Sequence, residues 1–138
     1  MAYQFTPLST DASPAQDAPR SMKRVLVVDD DKEILKLLEM FLCRLNYDVA
    51  SAFNGREALN LFRQYPCDLV ITDLQMPVMD GMQLMRSIRS ESPQTPVVVI
   101  TGHLEDDSTA ALESAYAVVG KPFRLDKIKS VVSHALSV

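Results

Sequence analysis

The sequence predicts an α/β fold, a doubly wound five-stranded parallel sheet with helices on both faces, and two observations support this prediction. From Lys23 onward, short apolar runs alternate with segments whose apolar residues have helical spacing, as is typical of βαβ units. The strand candidates are continuous in Val, Ile and Leu, which suits strands buried on both sides. Right-handed crossovers between such strands place helices on both faces of the sheet.

The first strand and helix are predicted from an apolar run followed by acidic residues. The strand is Val25–Val28, and the acidic run Asp29–Asp31 can cap the helix that follows and favour its positive end. That helix has apolar residues at three- and four-residue spacing, namely Ile34, Leu37, Leu38, Phe41, Leu42 and Leu45.

The next elements are a short strand over 48–52 and a helix that begins after the turn Asn54–Gly55. This helix carries four apolar residues on one face, Ala58, Leu61, Phe62 and Tyr65. The third strand is predicted over 69–72. After a loop that contains Pro77, another helix carries Met82, Leu84, Met85 and Ile88.

The last third of the chain supplies two more strands and two more helices. Pro93 and Pro96 precede a strand over 97–100, and a less regular helix near 107–115 leads to a strand over 117–119. The final helix is predicted to bury Leu125, Ile128, Val131, Val132, Ala135 and Leu136.

Composition and charge restrict the class of protein. The chain has 138 residues, 47% apolar and 23% charged, the profile of one ordinary globular domain. A net charge of -4 argues against direct nucleic-acid binding, because such binding needs a basic surface. No apolar run approaches the roughly 20 residues of a membrane span, and the N-terminus lacks a secretory signal. We therefore expect a cytoplasmic protein without a nucleic-acid or membrane partner.

Residues 1–22 differ from the rest of the chain, because Pro7, Pro14 and Pro19 lie among small and polar residues without apolar periodicity. Such a segment buries too little surface to offset its ordering entropy. We predict a flexible N-terminal tail over 1–22 and a folded domain over 23–138. Cys43 and Cys67 have no C-x-x-C spacing, so neither a disulfide scaffold nor a zinc site is expected.

Polar residues follow four of the predicted strands and predict a functional site. The carboxyl ends of parallel strands line the ligand crevice of an open α/β sheet. Asp29 and Asp30, Asp73, Thr101 and Lys121 therefore become neighbours. Clustered carboxylates repel one another, and Mg²⁺ prefers such hard oxygen ligands. An aspartate carboxylate can attack phosphorus, with Mg²⁺ and Lys121 supplying positive charge.

Each of these residues alone has a simpler explanation. Acidic residues that open a helix most often cap it, and an Asp before a proline-containing loop is more often a turn residue. Thr101–Gly102 is an ordinary loop start, and a Lys-Pro pair is common on surfaces. Because all four features directly follow strands, their combination favours a site over four unrelated loops.

Four sequence blocks resemble the receiver domain of two-component response regulators: Val25–Asp31, Ile71–Gly81, Val99–His103 and Lys121–Phe123. The resemblance extends from about Arg24 to Leu136 and is most specific around Asp73. It implies the flavodoxin-like strand order 2-1-3-4-5, which the chemotaxis member of this family exemplifies among open α/β sheets.

The resemblance implies a role for each site residue. Asp73 would accept a phosphoryl group from a histidine kinase or phosphotransfer protein. Asp30, Asp73 and the backbone carbonyl of Gln75 would bind Mg²⁺, with Mn²⁺ as an alternative, and Asp29 would act mainly through a metal-bound water. Such a signalling module promotes its own phosphorylation and dephosphorylation and switches its protein contacts.

The remaining implied roles concern the phosphorylated state. Thr101 would move toward the phosphoryl group and Lys121 would pair with it, next to a cis peptide bond at Pro122. Gln75 and His103 would tune the lifetime of the phosphoryl group. The chain departs from the family at Val118, where a Tyr or Phe is usual, and the 20 positions from Thr101 to Lys121 are fewer than expected.

Three alternatives compete with this interpretation. A dehalogenase-type phosphatase would use Asp73 as nucleophile, but it needs a second Asp where this chain has Gln75. A degenerate receiver that only scaffolds is disfavoured because Asp30, Asp73, Thr101 and Lys121 are all present. The four glycines fit neither dinucleotide nor P-loop spacing. Since the residues after Phe123 are needed for the last helix, the chain acts either on a downstream protein target or with a missing output domain.

Overall fold

A computed structural model of the protein describes residues 22–76, 78–102 and 114–137. Within these residues, the strands are β1 (Arg24–Val28), β2 (Asp48–Ala52), β3 (Leu69–Asp73), β4 (Val97–Thr101) and β5 (Ala117–Gly120). The helices are α1 (Lys32–Arg44), α2 (Gly55–Gln64), α3 (Gly81–Glu91) and α4 (Leu125–Leu136).

The five strands form one sheet in the order β2-β1-β3-β4-β5, and every neighbouring pair is parallel. The predicted fold class and strand order are therefore confirmed. The chain leaves β1, β3 and β4 at the same end of the sheet, which we call the carboxyl end. The strands begin at the opposite end, which we call the amino end.

Two apolar clusters cover the two faces of the sheet. One cluster packs α2 and α3 against alternate residues of the strands, such as Leu26, Val70 and Val99. The other packs α1 and α4 against the remaining ones, such as Val27 and Ile71. Nearly all central strand residues are buried, because a sheet covered on both faces leaves no polar side.

Three helices begin at a side chain that caps them. The carboxylate of Asp31 accepts hydrogen bonds from the backbone N–H groups of Glu33 and Ile34 at the start of α1. Asn54 caps α2 and Asp80 caps α3 in the same way. These caps satisfy N–H groups that have no partner inside the helix, and they fix where the chain turns from the carboxyl end of the sheet into each helix.

The buried faces of α1 and α4 differ in detail from the apolar spacing of the sequence. On α1, Leu37 is 43% exposed, whereas Leu35, which lies outside the predicted series, is buried. Glu39 is also buried, and its carboxylate accepts a hydrogen bond from the Ser51 hydroxyl of β2. On α4 only Ile128 and Val132 are buried, and the other four predicted residues are partly exposed because the helix meets the sheet along a narrow stripe.

Some predictions fall outside the described residues. The tail, apart from Met22, and most of the helix predicted near 107–115 are among them, as are Pro77 and His103. The division into a tail over 1–22 and a domain over 23–138 remains a prediction. Among the described helices, none is long and apolar enough to span a membrane.

Candidate functional site

Three carboxylates converge at the carboxyl end of the sheet. Asp29 directly follows β1, Asp30 is the next residue, and Asp73 is the last residue of β3. One carboxylate oxygen from each lies within 4.8 Å of the others. Asp29 and Asp73 are buried, while Asp30 is exposed. The strands therefore hold two of the carboxylates in the protein interior and leave the third at the opening to solvent.

Lys121 joins this cluster from the segment after β5. Its Nζ lies 3.3 Å from Asp29 Oδ2 and 3.4 Å from Asp73 Oδ2. The backbone N–H of Lys121 donates to the carbonyl oxygen of Thr101 at 2.8 Å, and the Lys121–Pro122 peptide bond is cis. Thr101 ends β4 and is buried. All four strand ends named by the sequence thus lie at one site.

The charges of the site do not balance. Burial raises the pKa of Asp29 above its ordinary value, and the nearby Asp73 adds to this effect, although the Asp31 N–H and Lys121 oppose it. Burial lowers the pKa of Lys121, but the charges of Asp29 and Asp73 outweigh burial and raise it overall. The pKa values of both partners are therefore raised. Burial dominates for Asp29, whose side chain is only 2% exposed, whereas the two carboxylates dominate for Lys121, whose side chain is 23% exposed.

The loop after Asp73, described over residues 74–76 and 78–80, is anchored to the strand that precedes it. The Thr72 hydroxyl donates to the Asp73 carbonyl oxygen at 2.8 Å, and the Gln75 N–H donates to Asp73 Oδ1 at 3.4 Å. The Gly81 N–H donates to the Leu74 carbonyl oxygen at 3.0 Å. This β3–α3 loop therefore begins and ends against the backbone around Asp73.

Gly81 allows this close return of the chain. A Cβ atom on Gly81 would lie 2.2 Å from the Asp73 carbonyl oxygen and 2.8 Å from Leu74 Cα, distances that require the backbone to move. In the sequence, Gly81 directly precedes Met82, the first apolar residue of the predicted helix. A glycine at the first helical position, where it has poor helix propensity, is the signal that would have indicated a close backbone contact.

The cluster fits a hard divalent cation. Its donors are carboxylate oxygens, the ligand type that Mg²⁺ prefers. The raised pKa of Asp29 indicates that Lys121 alone does not compensate the buried negative charge. A bound cation would supply the missing compensation.

Two further residues singled out by the sequence lie outside this cluster. Val118 of β5 pairs with Val99 of β4 and packs, half-buried, against the cluster of α2 and α3. The side chain of Gln75 is exposed.

Comparison with known sequences agrees with this geometry. Residues 25–133 match the response regulator receiver domain family. The chain is 34% identical over 120 residues to the regulatory protein AtoC of Escherichia coli (strain K12), a match that covers 86% of this chain and 26% of AtoC. It is 37% identical over 118 residues to the response regulator protein PilR of Pseudomonas aeruginosa, covering 84% of this chain and 26% of PilR.

Solved structures with the same fold include two receiver proteins. The response regulator TrrA of Thermotoga maritima, crystallised in complex with Mg²⁺–BeF, superposes with a TM-score of 0.78 at 35% identity, covering 83% of this chain and 100% of TrrA. The chemotaxis protein CheY4 of Vibrio cholerae superposes with a TM-score of 0.77 at 28% identity, covering 84% and 100% of the two chains.

Proposed function

The chain belongs to the response regulator receiver domain family, and we propose that Asp73 is its phosphoacceptor. The observation that carries this proposal is the position of Lys121 Nζ, which lies between the carboxylates of Asp29 and Asp73 at the carboxyl end of the sheet. A cation at this position is suited to a phosphoryl group on Asp73. The chain is therefore a signalling module, and the autophosphorylation chemistry that follows is part of the proposal.

The proposed reaction is an in-line phosphoryl transfer. A carboxylate oxygen of Asp73 forms a bond to phosphorus while the P–N bond of a phosphohistidine breaks, and the bonding electron pair leaves with the imidazole nitrogen. Catalysis of such a transfer depends mostly on positioning and charge neutralisation. Lys121 neutralises one phosphoryl oxygen, and Thr101, at the end of the neighbouring strand β4, offers a hydroxyl to another.

Asp29, Asp30, Asp73 and the Gln75 carbonyl are the proposed ligands of Mg²⁺, with Mn²⁺ as an alternative and Asp29 acting mainly through a water. When bound, the ion would neutralise charge on the phosphoryl oxygens. The acidic cluster supports this assignment, as does the Mg²⁺ in the TrrA complex. Gln75 and His103 are proposed to tune the lifetime of the phosphoryl group.

The partners of the chain are also part of the proposal. We propose that a histidine kinase or a phosphotransfer protein donates the phosphoryl group, and that phosphorylation changes contacts with a downstream protein or an output domain. The match covers only about a quarter of the length of AtoC and PilR. Val118 has no ring to reorient, so Thr101 and Lys121 would transmit the change without an aromatic partner at 118. The cytoplasmic location remains a prediction.

The dehalogenase-type phosphatase, which was the alternative function, has no support. The matching family is the response regulator receiver domain, and the relative PilR is a response regulator. In addition, the residue two positions after Asp73 is Gln75, whose backbone N–H contacts the Asp73 carboxylate. An amide side chain at this position cannot act as a general acid or base.

Intact mass measurement tests the proposed acceptor. The protein is incubated with a small-molecule phosphodonor and Mg²⁺, and the wild type is expected to gain one phosphoryl group while Asp73→Asn gains none. Asp126→Asn serves as a matched control, because Asp126 is an exposed residue on α4 and its loss should leave the adduct unchanged. An equal adduct on wild type and Asp73→Asn would disprove the assignment.

A further inference from the structure

The outer part of the β3–α3 loop rests on the first residue of helix α2. The N–H of Gly55 donates to the carbonyl oxygen of Met79 at 3.1 Å. Gly55 is buried at this contact. The loop that begins at Asp73 is therefore held at three places: at Leu74 by Gly81, at Gln75 by the Asp73 carboxylate, and at Met79 by Gly55.

The contact at Gly55 requires a glycine. A Cβ atom at this position would lie 2.4 Å from the Met79 carbonyl oxygen and 2.8 Å from Met79 Cγ. Side chains do not approach a backbone oxygen this closely, so any other residue would push the loop away from α2. Gly102 differs in this respect, since a Cβ atom there would meet no atom of the described residues within 4 Å.

The loop does not keep its conformation by local preference alone. Val78 has a φ of 71°, in the left-handed region that β-branched residues rarely adopt. Its side chain is 67% exposed, so burial of that side chain does not hold it in this conformation. The two residues that follow Val78 are both anchored, Met79 to the Gly55 N–H and Asp80 to the start of α3, and these contacts constrain the backbone at Val78 from its C-terminal side.

We propose that Gly55 is a positioning residue for the metal site. By holding Met79, Gly55 fixes the β3–α3 loop in the position that places the Gln75 backbone beside the Asp73 carboxylate. Gly55 itself touches neither the acidic cluster nor a bound ion. This inference rests on the proposed Mg²⁺ site, and it adds a residue of the β2–α2 turn to the groups that determine Mg²⁺ affinity.

Thermodynamic linkage provides a test on the unmodified protein. If the Gly55–Met79 contact favours the loop position that binds Mg²⁺, then bound Mg²⁺ favours the contact by the same factor. Hydrogen exchange measured by NMR should therefore slow at the Gly55 N–H by about tenfold when Mg²⁺ saturates the site, within the usual range of such couplings. The Ala58 N–H, which donates to the Asn54 carbonyl oxygen in the same helix, should not show this additional protection.

Substitution provides the second readout. Calorimetric titration with Mg²⁺ should show binding to Gly55→Ala that is about tenfold weaker than to wild type, as for other residues that orient metal ligands. Gly102→Ala is the matched control and should bind Mg²⁺ as wild type does. If Gly55→Ala fails to fold, the hydrogen-exchange measurement on the wild type tests the positioning role of Gly55 by itself.

The outcomes separate this inference from the proposed function. Wild-type protein that binds Mg²⁺ but shows equal exchange at Gly55 with and without the ion would overturn the positioning role and leave the metal site intact. Unchanged Mg²⁺ affinity in a folded Gly55→Ala variant would overturn it as well. Wild-type protein that binds no Mg²⁺ would overturn the metal site and the positioning role together.

Discussion

At each end of the sheet a basic residue contacts two aspartates, but the aspartates differ in burial. At the amino end, the Arg24 guanidinium lies 3.3 Å from the Asp48 carboxylate, and the Arg24 N–H donates to Asp68 at 2.8 Å. At the carboxyl end, one Lys121 ammonium faces the two buried carboxylates of Asp29 and Asp73. Asp48 and Asp68 are partly exposed to solvent, whereas Asp29 and Asp73 are buried, so water can screen the carboxylates of the amino end while those of the carboxyl end need a cation to offset their charge.

The backbone shows the same contrast. Two described residues other than glycine have a positive φ: Asn46 at 72°, before β2, and Val78 at 71°, after β3. Asparagine tolerates the left-handed region, while valine does not. The unfavourable conformation therefore lies next to the functional site, as is common where surrounding structure determines the backbone.

Among the substitutions that test this comparison, replacement of Gly81 is expected to change the free energy of unfolding most. Gly81→Ala should lower the free energy of unfolding by about 3 kcal/mol, because its Cβ would overlap the Asp73 carbonyl oxygen. Gly102→Ala is the control, because no atom of the described part of the chain lies within 4 Å of a Cβ at that position. Urea denaturation measures both variants, and an equal loss in both would show that the close return of the loop is unimportant.

Removal of one cation from each end tests the charge contrast. Lys121→Met should lower the free energy of unfolding by about 2 kcal/mol, less than for a fully buried pair because the lysine is partly exposed. Arg24→Met should cost less, since Asp48 is 22% exposed and better solvated. Mg²⁺ should restore stability to Lys121→Met and not to Arg24→Met. Thermal unfolding with and without Mg²⁺ checks this prediction, and equal rescue of both variants would contradict it.

The pH dependence of stability tests the raised pKa of Asp29. Because the pKa in the folded state lies above the ordinary value of 3.8, the folded protein binds this proton more tightly than the unfolded chain does. Its contribution to stability is therefore full below pH 3.8 and is lost as the pH rises through the folded-state value.

Asp29→Asn has no carboxyl group to deprotonate at this position, so it does not lose stability as the wild type does. Without metal, the variant should therefore become more stable than wild type as the pH rises from about 4 to 7. Asp48→Asn, at the amino end, should be slightly less stable than wild type because it weakens the pair with Arg24. Urea denaturation at several pH values compares the three proteins. A wild type that gains stability over Asp29→Asn with rising pH would disprove the buried-charge explanation.

The smallest expected effect concerns the two positive φ angles. Val78→Gly should raise the free energy of unfolding by about 1 kcal/mol, the strain removed less the entropy that glycine adds to the unfolded chain. Asn46→Gly should change it by less than about 0.5 kcal/mol, since Asn already tolerates this conformation. Thermal unfolding measures the stability of both variants. Equal shifts in melting temperature would contradict the proposed difference in backbone strain between the two positions.

Much of the fold and the location of the site could be predicted from local pattern. The apolar runs of β1, β3 and β4 each end at a polar residue, and the parallel arrangement brings those ends together. This reasoning correctly placed Asp29, Asp30, Asp73, Thr101 and Lys121 at one end of the sheet. It succeeded because each strand appears in the sequence as a short, continuous apolar run. Such runs indicate a sheet that is buried on both faces, as parallel sheets are.

Apolar spacing was less reliable for the helices. The series that predicted α1 includes Leu37, which is 43% exposed, and omits Leu35, which is buried. A helix with apolar residues around much of its circumference does not specify which stripe meets the sheet. Packing against β2, where the buried Glu39 carboxylate bonds to Ser51, determines the rotation of this helix.

The sequence by itself determined the chemical groups of the site and the strand ends that carry them, because these depend on residue type and local periodicity. The tertiary structure alone decided the distances from Lys121 to two carboxylates, the raised pKa of Asp29, and the contacts of Gly55 and Gly81 with the loop after Asp73. Distance, burial and close approach depend on residues far apart in the chain, and no local pattern records them.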